Sequence, residues 1–135
     1  MRCRISLTPM TNTLAIRIAA LMGLLAVALG AFGAHGLKEI LARNETAAIW
    51  EKAVFYHFIH TVMLFVLAQR QSVPRLPWLS FLSGILIFSG SLYLLAVTNV
   101  RWLGAITPIG GVSMIVGWAC LFVSAGRNRN QGEPN

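Results

Sequence analysis

Apolar residues along this chain do not alternate with polar ones; they gather into four long runs. Leu14 to Ala34 is interrupted only by Arg17. Ala47 to Ala68 becomes cleanly apolar after Lys52, while Trp78 to Val97 and Trp102 to Ser124 carry no charge. Each run is close to the ~20 residues that a helix needs to cross a ~30 Å hydrocarbon core. In lipid a helix satisfies its own backbone, and barrel strands would show alternation. The pattern therefore predicts an all-α, four-helix transmembrane bundle, with spans at about 14–34, 47–68, 78–97 and 102–124.

The breaks between runs set the connections. Gln69 to Pro77 holds Arg70, Arg75 and two prolines, which predicts a helix stop. Thr98 to Arg101 is short, so the third and fourth spans should form a hairpin. His35 to Lys52 is longer. Leu37, Ile40 and Leu41 recur there at helical spacing beside Lys38, Glu39 and Arg43, which predicts a short amphipathic helix in the interface. Asn44 is then expected to cap the second span, with Glu45 in its first turn. Residues 14–125 form the membrane domain, flanked by tails at 1–13 and 126–135. A cleaved signal peptide is the competing reading of the first run. Its apolar stretch exceeds the roughly 7–15 residues of such segments, and three further spans follow, so a retained helix is expected.

Composition excludes an ordinary soluble domain. Of 135 residues, 56% are hydrophobic and only 11% are charged, and the mean hydropathy is +0.69. Soluble domains are nearer a quarter charged. The net charge of +7 resembles that of a nucleic-acid binder. However, the Lys and Arg residues stand singly at run ends and loops, as cations flank membrane spans. The expected partner is the lipid bilayer, and no nucleic acid. Cys3 and Cys120 imply neither a disulfide framework nor a metal motif.

Orientation follows from the side on which the cations fall. Arg2, Arg4, Arg17, Arg70, Arg75, Arg127 and Arg129 lie on the side of the termini; Lys38, Arg43, Lys52 and Arg101 lie on the other. Both termini are expected in the cytoplasm. Met10 is an alternative start, and beginning there removes Arg2 and Arg4 and narrows the asymmetry.

The polar residues inside the runs concentrate in one half of the bilayer. The end of the first span, the start of the second, the end of the third and the start of the fourth share one side. His35, His57, His60, Tyr93 and Thr107 all fall there, within roughly 5–12 Å of the interface. His57 and His60 are three apart, hence on one helix face. Ser89, Ser91, Tyr93 and Thr107 are candidate partners by depth. Such a layer can be a proton-accepting pair, a set of imidazole ligands for metal or haem, or a hydrogen-bonded cluster that holds the helices in register. No carboxylate lies inside a span beyond the entrance of the second, so no metal site or cofactor is expected. Glu51, at the entrance of the second span, is expected to pair with Lys52 or Lys38.

Small residues carry the packing signal. Ala19 and Gly23, Ala26, Gly30 and Ala34, Ser80 and Gly84, and Ser113 and Gly117 recur at four-residue spacing. Such spacing lets helix backbones approach closely. Gly33 lies beside that stripe. Pro108 followed by Gly110-Gly111 predicts a kink in the fourth span. Trp50, Tyr56, Trp78 and Trp102 fit an interfacial aromatic belt, and Trp118 reads as core.

Four motifs in order carry a family resemblance: Gly30-Ala31-Phe32-Gly33-Ala34-His35-Gly36-Leu37; Ala53-x-x-Tyr56-His57-x-x-His60; Phe88-Ser89-Gly90-Ser91-Leu92-Tyr93; and Thr107-Pro108-Ile109-Gly110-Gly111 with Gly117-Trp118. Over roughly residues 12–125 the chain resembles the small four-helix membrane family catalogued as domain of unknown function 423. The resemblance implies a multi-pass protein of the bacterial inner membrane and lends no activity. The expected role is non-enzymatic, without catalytic residues: a bundle that forms a homo-oligomer or joins a larger membrane complex. The competing role is a small transporter or channel with a polar track around His57, His60 and Tyr93.

Overall fold

The computed structural model describes residues 12–129, so the cations at positions 2 and 4 and most of both tails lie outside the described residues. Four helical spans cross in antiparallel succession. The first is α1 (Asn12–Ala34). A short helix, α2 (Lys38–Arg43), leads to α3 (Ala47–Ala68). The third span has three parts: α4 (Arg75–Gly84), a π-helical segment (Ile85–Ser89) and α5 (Gly90–Thr98). The fourth opens with a 3-10 turn (Arg101–Ala105) and continues as α6 (Thr107–Arg129). Among the described residues there is no strand.

Order in space follows order in sequence. α1 packs on α3, α3 on the third span, and the third span on α6. α3 and the third span are therefore the most buried, while α1 and α6 give most of their surface to lipid. On α1 the buried positions Ala15, Ala19, Met22 and Ala26 recur every three or four residues, one helical face. Ala15, Ala19 and Met22 meet Leu64, Leu67, Trp78, Phe81, Ile85 and Met114 in the main apolar core. Large side chains such as Leu24, Val27, Phe55, Ile115 and Phe122 point outward. That is the expected solution where the solvent is hydrocarbon. Arg17 is exposed on the first turns of α1, within side-chain reach of the interface.

Glycines set how closely the spans approach. An added Cβ at Gly33 would overlap the Trp50 indole, one at Gly84 the Met114 side chain, and one at Gly117 the Phe81 ring. At Gly30 it would press Val54 at 3.3 Å. Gly110 matters most: a Cβ there would run into the backbone nitrogen and Cα of Phe88, inside the π-helical segment. A π turn holds one residue more than an α turn and bulges locally. Gly110 is where α6 accommodates that bulge. Gly111 stands in ordinary contact with the Phe88 ring.

Several local expectations are corrected. The stop expected over Gln69 to Pro77 is present, since α3 ends at Ala68, but Pro77 itself belongs to the next helix, which begins at Arg75. This proline is buried in the first turn of α4, where a missing N–H costs nothing, and Pro74 is the N-cap. Pro108 likewise stands in the first turn of α6, just after the fourth span changes from 3-10 to α winding at Ile106. Asn44 does not cap α3; it closes α2, and Thr46 is the N-cap of α3. Glu45 lies in the turn between them with φ of 56°, outside the first turn of α3. Asn99 takes the same left-handed conformation to end α5, a role that suits asparagine.

Gly110→Ala should lower stability by about 1–3 kcal/mol, because the Phe88 backbone must shift. At Gly90 an added Cβ meets nothing within 4 Å, so Gly90→Ala should leave stability unchanged or slightly raised. Thermal unfolding of the two variants in detergent, followed by circular dichroism, separates them.

Candidate functional site

The polar layer expected from the sequence resolves into separate pairs. His57 lies on the α3 face toward the third span, and its Nδ1 is 3.2 Å from the Tyr93 hydroxyl. Its Nε2 has no hydrogen-bond partner among the described residues, although the Met22 backbone of α1 stands nearby outside bonding geometry. The Tyr93 ring also packs on Trp50, with centroids 4.7 Å apart. One turn on from His57, His60 looks toward α6. The Trp118 indole donates to its Nε2 at 3.3 Å, and its Nδ1 is 2.8 Å from the Tyr56 carbonyl. An indole N–H can only donate and a carbonyl only accept, so Nε2 must be bare and Nδ1 protonated. Both nitrogens are occupied, and the ring is neutral. Tyr56 stacks on it at 5.9 Å, and Phe81 and Trp118 enclose it.

Thr107 joins neither histidine. Its hydroxyl lies 2.8 Å from that of Ser91, a pair that ties α6 to α5. Ser89 donates to the Ala53 carbonyl at 2.9 Å, a contact from the π-helical segment to α3. His35 is exposed at the end of α1, and its side chain bonds to none of the other four residues. Trp118, expected in the core, is 44% exposed because α6 is an outer helix. One edge of the ring still packs inward on His60 and Phe81, with its N–H on His60. Glu51 makes no ion pair with Lys38 or Lys52; it lines a groove between α1 and α3. Consecutive residues on a helix face different directions, so Lys52 is badly placed to meet it.

A second kind of contact is more regular. The Trp50 indole donates to the Leu29 carbonyl of α1 at 3.1 Å. The Trp78 indole donates to the Leu64 carbonyl of α3 at 3.1 Å. Ser113 of α6 donates to the Ser80 carbonyl of α4 at 2.9 Å and meets the Ser83 hydroxyl at 2.7 Å. Thr46 and Asn44 donate to the carbonyls of Ala96 and Val97 at 2.7–3.1 Å, which are orphan acceptors at the end of α5. Asn12 bonds the Arg70 carbonyl beyond α3 at 2.7 Å. Every neighbouring pair of spans is thus joined by a side chain on one and a main-chain oxygen on the other, or by a hydroxyl pair. Sequence reasoning missed Asn44, Thr46, Trp78 and Trp118 as donors. The signal was present in that buried Trp and Thr need partners, but their targets are carbonyls, which every residue carries.

Chemically, the arrangement supplies two imidazoles, a phenol and hydroxyls in apolar surroundings. Among the described residues, no three His, Cys, Asp or Glu side chains gather as metal ligands. Cys120 is a partly buried free thiol.

The fold and this layer define a small helical membrane protein with four spans. The family model for a protein of unknown function, DUF423, matches residues 29–111. The chain is 45% identical over 117 residues to the UPF0382 membrane protein YwdK of Bacillus subtilis, covering 82% of this chain and 94% of that protein. It is 40% identical over 128 residues to the UPF0382 inner membrane protein YgdD of Escherichia coli, covering 91% and 97%. A UPF0382 membrane protein of Staphylococcus epidermidis is 46% identical over 114 residues, covering 81% and 92%. No solved structure matches the chain. The chain belongs to the DUF423 family of bacterial membrane proteins.

Tyr93→Phe should destabilise the bundle by about 0.6–2 kcal/mol, the range of interhelical hydrogen bonds in membranes. Combining it with His57→Phe should cost less than the sum of the single changes, because the two groups are partners. Denaturation of the four proteins in mixed micelles gives the coupling energy directly.

Proposed function

We propose that the protein is a non-enzymatic bundle of the bacterial inner membrane that acts by association, with a second copy or with a larger membrane complex. The observation that carries this reading is the state of His60. Both of its nitrogens are engaged, one by Trp118 and one by Tyr56, so neither is free to exchange a proton or hold a ligand. The remaining polar side chains support the same reading. His57 with Tyr93 and Ser91 with Thr107 form pairs that join helices, and these pairs are not bonded to one another. A transporter or channel of this size would need a linked polar track across the layer. Proton-coupled export would also need an acid in the membrane, and among the described spans the carboxylate nearest the interior is Glu51 near the start of α3. Orientation belongs to the same proposal: both termini face the cytoplasm, on the excess of Lys and Arg on that side.

Reconstitution tests the role. Purified protein in proteoliposomes should give no pH-driven proton or cation flux above that of empty vesicles. His57→Gln and His60→Gln should change melting and oligomeric state instead. A flux that either substitution abolishes while the fold persists would replace this reading by the transporter. For orientation, a green fluorescent protein fused to the C-terminus should fluoresce in cells, and an alkaline phosphatase fused there should be inactive.

A further inference from the structure

Away from the histidine pairs, a groove of about 530 Å³ opens between α1 and α3 beside α2. Gly30, Gly33 and Ala34 of α1 form one side of it, with Val54 and the Trp50 indole seated over the two glycines. Phe55, Phe58 and Ile59 of α3 form the opposite wall and are themselves open to the lipid. The lining is apolar except at one end, where Glu51 stands. Glu51 is the fifth residue of α3, at headgroup level, and Ile59 lies two turns deeper, roughly 12 Å along the helix axis. The groove is therefore a greasy slot that runs into the bilayer from a carboxylate at its mouth.

We propose that this groove is a specific site for a phospholipid with a primary-amine headgroup. The acyl chain lies along Phe58 and Ile59, and the ammonium meets the Glu51 carboxylate. Glu51 has no ion pair among the described residues, so its charge is available there. An ammonium–carboxylate hydrogen bond is of the strong, charge-assisted kind. Exposed Lys38 and Arg43 on α2 and Lys52 on α3 stand on the elements at that end of the groove, although none of them lines it. A lipid lacking the amine leaves Glu51 facing only its phosphate, which disfavours it. This site is separate from the His57 and His60 contacts, and the inference stands whether or not the bundle acts by association.

The full chain, purified in mild detergent and supplied with an equimolar mixture of phosphatidylethanolamine and phosphatidylglycerol, is assayed by native mass spectrometry for retained lipid. Phosphatidylethanolamine should be enriched. Glu51→Gln should reduce that enrichment about threefold, the size of a partly exposed ion pair. Its melting should not change, since the Glu51 side chain is exposed. Ile59→Trp should fill the deep end and lower retention of both lipids. Equal enrichment in the parent and Glu51→Gln would overturn the proposal. So would loss of a dimer mass in Ile59→Trp, which would assign the groove to a second copy of the chain. Displacement of bound lipid by a simple alkylamine with no loss in Glu51→Gln would also overturn it.

Discussion

In hydrocarbon there is no water to complete a hydrogen bond, and the rest of this structure answers to that constraint. Backbone groups are satisfied first, by helix formation. Most buried side-chain donors then find acceptors, chiefly the main-chain oxygens of neighbouring helices; the Thr61 hydroxyl and His57 Nε2 have no partner among the described residues. Trp50 reaches Leu29, Trp78 reaches Leu64, Ser89 reaches Ala53 and Ser113 reaches Ser80. Between apolar helices in lipid there is little hydrophobic drive to associate, so these bonds and close van der Waals packing decide which faces meet.

The glycines and the donors work together. At Gly33 an added Cβ would occupy the space of the Trp50 indole, the group that donates to Leu29 one turn earlier. Removing that side chain is what lets the indole lie across α1. Gly110 does the same for the π-helical bulge, and Ser89 at the end of that bulge bonds to α3. Small residues are thus placed where a neighbouring helix must bring a large or irregular feature close. The histidines follow the same logic. His57 is held by a phenol from α5, and His60 by an indole from α6 and a carbonyl of its own helix. Two residues three apart on one face therefore serve two different helices, because α3 is flanked by more than one span.

Depth is legible in the amino-acid sequence: His57 and Tyr93 fall in one membrane half by counting residues, and they stand 3.2 Å apart. Direction is less so. Trp118 has the hydropathy of a core residue, yet its ring is nearly half exposed and only one edge of it packs inside, on His60 and Phe81. Thr107 shares the depth of the histidines but belongs to a different helix contact, and His35 shares it while facing out. Prolines mislead for a related reason. Pro77 and Pro108 are helix breakers in an interior and ordinary residues in a first turn, and the order of residues does not say where the first turn is. The π turn has no marker of its own between Gly84 and Gly90; in the structure it lies where Gly110 of α6 comes against Phe88.

The amino-acid sequence by itself determined the class of protein, the number of spans, the short helix after the first of them and the membership of the family. These depend on run length, charge and motif order, which are one-dimensional. Tertiary structure alone decided which carbonyl each donor meets, that the polar layer is divided into pairs, and that Glu51 turns to a groove. Those outcomes depend on the rotation of each helix about its own axis. In a uniformly apolar span hydropathy leaves that rotation almost free, and it is settled only when indoles, hydroxyls and glycines on adjacent helices are brought face to face.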